Sequence, residues 1–195
     1  MDPVTRLVFA AAGRLAEGFV YSVSADETVR KIDAQGNQVW SVQRESAINA
    51  VAVDQDGFVY TTQSNGRLRK FDPDGVPIWS FISGSTINAT RAVAVDADGF
   101  VYICGTDTFK VSPVGAQVWR YIQVSGSSTG IAVDEDGFVY IASGNSRLDK
   151  VSPTGSLVWG LGGGGPPLGV RGGRCGRVRL CRAVLWSLVH RHCKA

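Results

Sequence analysis

Eight residues recur almost letter for letter: Val53-Asp54-Gln55-Asp56-Gly57-Phe58-Val59-Tyr60, Val95-Asp96-Ala97-Asp98-Gly99-Phe100-Val101-Tyr102 and Val133-Asp134-Glu135-Asp136-Gly137-Phe138-Val139-Tyr140. A shorter copy, Gly18-Phe19-Val20-Tyr21, precedes them. Each is followed by a Val/Ile-Trp pair, ending at Trp40, Trp79, Trp119 and Trp159. The tyrosines Tyr21, Tyr60, Tyr102 and Tyr140 step by 39, 42 and 38 residues, and the tryptophans by 39, 40 and 40. Two signature points repeating every ~40 residues mark an internal repeat, in which one unit cannot bury its own hydrophobic face and neighbours must stack.

Within one period the chain alternates short β-branched and aromatic runs with glycine turns. Repeat two reads Ala50–Val53, a turn at Asp54-Gln55-Asp56-Gly57, Phe58–Thr62, a turn at Ser64-Asn65-Gly66, Arg67–Phe71, a turn at Asp72-Pro73-Asp74-Gly75, then Pro77–Phe81. Such runs predict antiparallel strands joined by hairpins. Gly57, Gly99 and Gly137 close their turns where φ must be positive, and Pro73, Pro113 and Pro153 fix φ one turn later. Four strands per period is the pattern of a propeller blade. The predicted fold is therefore all-β and β-propeller-like, with four-stranded antiparallel blades in an incomplete or small ring. The repeats span about 6–41, 48–81, 90–120 and 129–160. Residues 6–12 could form a strand but lack the Val-x-Val-Asp ending, so the first blade is expected to be incomplete or divergent at its front. The strands holding Ala50/Ala52, Ala92/Ala94 and Gly130/Ala132 should lie nearest the axis. Phe58, Phe100, Phe138 and the tryptophans should fill the layers between blades.

Composition separates the repeats from the remainder of the chain. Residues 1–160 hold 13 Lys/Arg and 17 Asp/Glu, net −4; residues after 160 hold seven basic residues, both histidines and no acid. The overall +3 is thus no nucleic-acid footprint. Residues 161–173 read as a Gly/Pro-rich linker, and 174–195 as a basic Cys/Arg-rich tail. That tail is a non-native or frame-shifted end, a disordered segment, or a short amphipathic helix over 178–189. Cys104 stands alone in the repeats, so no disulfide framework is expected. No signal peptide and no membrane span are read, which leaves the cytoplasm as the default compartment.

Few constellations carry chemistry. Asp54/Asp56, Asp96/Asp98 and Asp134/Asp136 invite calcium, but an EF-hand loop continues to a Glu about twelve residues from its start, and here the strand resumes after Gly. A turn role is expected instead, and no metal or cofactor. His190, His192, Cys175, Cys181 and Cys193 match no compact zinc spacing. There is no Walker A loop, nucleophile elbow or His-Glu-x-x-His. No histidine precedes residue 190, which removes a histidine relay from the blades.

The order Asp-Gly-Phe-Val-Tyr, Leu-x-Lys, Asp/Ser-Pro-x-Gly-x-x-Val/Ile-Trp resembles the repeats of bacterial-type β-propellers: the pyrroloquinoline-quinone-like repeat and its SBBP and NHL relatives. Residues 57–60, 68–70 and 75–79 carry it, as do 99–102, 115–119, 137–140, 148–150 and 155–159, within a span of about 18–160. The resemblance implies a propeller, of which this chain is expected to be a fragment. Relatives of this kind include quinone-dependent dehydrogenases, outer-membrane assembly scaffolds and surface or phage-associated proteins. The dehydrogenases carry a calcium-bound quinone, a catalytic Asp and often adjacent cysteines; this chain has no adjacent cysteines.

The expected function is a non-catalytic module for protein or ligand binding or a structural role, not an enzyme; the alternative is a fragment of a quinoprotein-like dehydrogenase. The expected partner is a protein or glycan, with self-association to complete the ring as a further route. The Asp-x-Asp-Gly and Pro-x-Gly turns should share one end of the domain, and the variable loops the other. Variable loops on a rigid scaffold are where binding groups sit. Arg44, Glu45, Asn49, Asn88, Arg91, Thr129 and Arg147 are the candidate binding residues.

Overall fold

The computed structural model describes residues 8–11, 18–24, 26–83, 92–123 and 127–162. The linker beyond 162, the basic tail, Asn88 and Arg91 lie outside them. Four antiparallel four-stranded meanders follow one another. Blade one comprises β1 (Val8–Ala11), β2 (Val20–Val23), β3 (Thr28–Ile32) and β4 (Gln38–Gln43). Blade two comprises β5 (Ile48–Val53), β6 (Val59–Gln63), β7 (Arg67–Phe71) and β8 (Pro77–Ile82). Blade three comprises β9 (Ala92–Val95), β10 (Val101–Cys104), β11 (Asp107–Val111) and β12 (Gln117–Ile122). Blade four comprises β13 (Ser128–Val133), β14 (Val139–Ser143), β15 (Arg147–Val151) and β16 (Leu157–Leu161).

The first blade corrects the sequence expectation. Val8–Ala11 pairs with β2 in unbroken register, Val8 opposite Val23 and Ala11 opposite Val20, and supplies the innermost strand that the motif lacks. Backbone pairing needs extended residues of the right length, and the missing Asp turn does not prevent it. All four blades therefore have four strands.

The core lies between blades. Tyr21, Val23 and Val29 of blade one meet Ile48, Val51, Val59 and Phe71 of blade two. Tyr60, Leu68 and Phe81 meet Val101, Ile103, Phe109 and Val111. Tyr102, Cys104 and Tyr121 meet Ile131, Val139, Ile141 and Val151. Strands covered on both faces read as continuous apolar runs, which is why Val101-Tyr102-Ile103-Cys104 is wholly buried. β1 packs on β5, β5 on β9 and β9 on β13, which places the small-residue strands innermost. Among the described residues the fourth sheet does not pack back on the first, so the sheets form an arc and not a closed ring.

Each of the first three repeat tryptophans joins its blade to the next. The indole N–H of Trp40, Trp79 and Trp119 donates to the carbonyl of Pro73, Pro113 and Pro153 at 2.9, 2.8 and 2.9 Å. The ring lies over the turn glycine of that blade: a Cβ on Gly75, Gly115 or Gly155 would stand 3.1, 2.9 or 3.0 Å from it. Within each blade the same tryptophan leans on the signature tyrosine, with centroids 6.0–6.3 Å apart in the tilted geometry aromatic pairs prefer.

Burial also decides the chemistry of Cys104. Its thiol is fully enclosed, and its pKa is pushed up to about 12, chiefly by burial. A thiol without thiolate character is a poor nucleophile. Iodoacetamide at pH 8 should leave Cys104 unmodified in the folded chain and alkylate it in urea, as read by peptide mass mapping. Modification of the native protein at the rate of an exposed thiol would contradict this placement.

Candidate functional site

The two ends of the arc are chemically different. At the turn end, Asp54 Oδ1 accepts the backbone N–H of Asp56 and Phe58 at 3.0 and 2.9 Å, and its Oδ2 accepts the Tyr60 hydroxyl at 2.8 Å. Asp96 repeats this with Asp98, Phe100 and Tyr102, and Asp134 with Asp136, Phe138 and Tyr140. Both oxygens of each leading carboxylate are thus committed to holding the hairpin. Burial first, and then the bond to Asp, pushes the Tyr60 and Tyr102 hydroxyls well above the usual phenol range. The Pro-x-Gly turns lie beside these: a Cβ on Gly57, Gly99 or Gly137 would touch Pro73, Pro113 or Pro153. Behind them Lys70, Lys110 and Lys150 lie 4.2, 4.2 and 4.0 Å from the ring centres of Phe58, Phe100 and Phe138, as Lys31 does at 4.1 Å over Phe19. Between blades three and four, Asp96, Asp98, Lys110, Asp134 and Asp136 edge a cleft of about 400 Å³.

At the loop end the candidate residues take different parts. Arg44 lies with its guanidinium 5.1 Å from the Phe71 ring centre, and its Nε is buried with no acceptor among the described residues. Burial, and then the nearby Arg69, push its pKa below the ordinary guanidinium value. Glu45 accepts both contacts from Arg69 Nη2, at 2.8 and 2.7 Å. Its own backbone N–H, followed by Arg69, holds the carboxyl below its usual range. Asn49 accepts from Ser64 Oγ at 3.2 Å, and its Nδ2 is buried without an acceptor among the described residues. These three share the junction of blades one and two. Thr129 and Arg147 belong to blade four. Thr129 donates to the Ala142 carbonyl at 3.3 Å, and Arg147 Nε donates to Asp149 at 2.7 Å while its Nη2 stays unpaired among the described residues.

Sequence reading missed the acids beneath this end. Asp107 and Asp149 are 4% and 1% exposed, the first paired with Arg120 and the second with Arg147 and the Tyr121 hydroxyl. A signal existed: the repeat disagrees with itself there, placing Thr28, Arg67, Asp107 and Arg147 at one strand position and Arg30, Arg69, Phe109 and Asp149 at another. Positions where copies diverge are freed from the common fold, and here they carry charge.

The family model of the outer membrane protein assembly factor BamB matches residues 8–108. Among solved structures, BamB from Moraxella catarrhalis aligns over 83% of this chain and 49% of its own, at 21% identity and a TM-score of 0.64. A protein of unknown function from Bacteroides caccae aligns over 83% of this chain and 62% of its own, at 12% identity and a TM-score of 0.64. A streptogramin B lyase aligns over 77% and 53%, at 14% identity and a TM-score of 0.67. No curated protein matches the chain. At such identities these structures show the fold alone, and the chain spans about half to three-fifths of their length. With four-stranded blades, PQQ-like repeats and a match over more than half its length, this chain belongs to the family of the outer membrane protein assembly factor BamB.

Proposed function

We propose that the chain is a non-catalytic β-propeller module that binds a partner protein through its loop end. One observation carries the reading: Arg44 Nε, Asn49 Nδ2 and Arg147 Nη2 are buried N–H donors with no acceptor among the described residues. A buried donor left unmade costs about 1–3 kcal/mol, so a side-chain rearrangement that brings it to a partner's acceptor is favoured. Peptide carbonyls and carboxylates supply such acceptors, and a family described as an assembly factor fits a polypeptide better than a glycan. The opposite end offers less, since its leading carboxylates are committed to the turns. A lyase on a similar frame shows that the fold does not decide chemistry, so the reading rests on the site.

Arrays of acidic peptides and of glycans, probed with the labelled chain, test it. The Arg44→Met/Asn49→Ala pair should weaken peptide capture by roughly thirtyfold or more, the scale of a buried charged donor lost, with an unchanged circular dichroism spectrum. Replacing the exposed Asp56, Asp98 and Asp136 by Asn should change little. Capture that survives the first change and fails on the second would place binding at the turn end. Glycan capture alone would replace the protein partner. Dye-linked alcohol oxidation on adding pyrroloquinoline quinone and calcium would restore the dehydrogenase alternative.

A further inference from the structure

The arc carries both halves of its own blade junction at opposite ends, each without its counterpart among the described residues. Every internal junction has the same two parts, a tryptophan from one blade and a four-residue glycine turn from the next. Blade four presents the first part alone: Trp159 leans on Tyr140 at 6.3 Å, and among the described residues its indole N–H donates to nothing. Blade one presents the second part alone. Its turn Asp33-Ala34-Gln35-Gly36 has the conformation of the others, with Gly36 at φ +87° against +85°, +86° and +89° for Gly75, Gly115 and Gly155. Ala34 stands where the other turns have proline, and a Cβ on Gly18 would touch it at 3.6 Å as Gly57 would touch Pro73 at 3.5 Å. A Cβ on Gly36, however, would meet nothing within 4 Å, where the other three meet a tryptophan.

We propose that two copies of this chain close into one eight-bladed ring, each seating its Asp33–Gly36 turn on the Trp159 of the other. The occupant follows from three internal precedents: the indole needs a carbonyl at the position of Pro73 and a flat glycine beneath the ring, and the Ala34 carbonyl and Gly36 supply both. The contact is head-to-tail, and such a contact closes only when the rotations sum to a full turn. Four blades from each copy make eight. Eight blades also lie within the usual range, and closure leaves only short protected edges.

Light scattering on the full chain at ~10 μM, a concentration at which an obligate dimer stays assembled, tests the proposal. The expected mass is that of two chains. Trp159→Ala and Gly36→Asn, the latter tolerated at positive φ, should each give the mass of one chain with the β spectrum retained. Val118→Thr/Ile122→Thr, on the exposed edge strand β12, should leave the dimer intact. A single-chain mass for the unaltered protein, a series of larger species, or a dimer that survives both end variants would overturn the proposal. So would a dimer lost through the β12 change. Should Trp159→Ala fail to fold, Gly36→Asn alone still decides, because it removes no core side chain.

Discussion

Trp79→Ala is expected to lower the free energy of unfolding by about 3 kcal/mol and the midpoint of thermal unfolding by roughly 10 °C. Full burial would put a Trp→Ala change at about 3–5 kcal/mol; the ring is half-buried, but its N–H bond to Pro113 is lost with it. Two glycines separate the parts. Gly115→Ala must accept φ +86° and also push a Cβ to 2.9 Å from the Trp79 ring. Gly99→Ala must accept φ +78° with only an ordinary contact, Pro113 at 3.6 Å. The second change should cost about 1 kcal/mol, the strain of a left-handed alanine, and the first clearly more. In the Trp79→Ala background the extra cost of Gly115→Ala should vanish, a coupling of about 1–2 kcal/mol between residues in contact. Denaturant melts on the four variants measure it. Equal costs for the two glycine changes would mean that the tryptophan does not clamp the neighbouring blade.

The second large effect is alkaline. All five tyrosines, Tyr21, Tyr60, Tyr102, Tyr121 and Tyr140, are pushed above the ordinary value of 10.0, with burial as the first cause. Tyr121 is pushed up to about 12, with Asp149 adding to the burial. The native chain therefore keeps phenol protons that the unfolded chain loses, and stability must fall as pH rises. It is fully present below pH ~10 and declines above it by about 1.4 kcal/mol per pH unit for each tyrosine still protonated. With several such groups, unfolding should become abrupt between about pH 10 and 12. Tyrosinate absorbance and the β spectrum should then change together. Tyrosines that ionise near pH 10 in a chain that stays folded would refute the linkage. Tyr102→Phe should flatten the slope and cost about 1 kcal/mol at neutral pH, because Asp96 loses its hydroxyl donor.

How far the sequence reached depends on what a repeat can encode. A turn closed by glycine at positive φ and an apolar run on either side are local matters. Asp54, Gly57, Pro73 and Gly75 accordingly announced their hairpin, its direction and its end of the domain. The tryptophan period also foretold that the packing layers lie between blades, because one residue at one position in every copy must meet the same neighbour. β1 was less legible. Its pairing with β2 comes from backbone bonds that any extended segment can make, so the absent Asp turn misled.

The loop end depended on tertiary structure more heavily. That Arg44 and Asn49 share a blade junction, while Thr129 and Arg147 stand two blades away, is set by stacking and not by spacing. The same holds for Asp107 and Asp149, which look like surface acids in the chain and are buried against arginines in the fold. Sequence by itself determined the blade, since a period of about 40 residues with fixed turns allows little else. Only the tertiary structure decided that four blades stack into an arc. It alone left Trp159 and Gly36 without their junction counterparts at opposite ends, because whether a stack closes depends on the accumulated angle between units, which no single repeat contains.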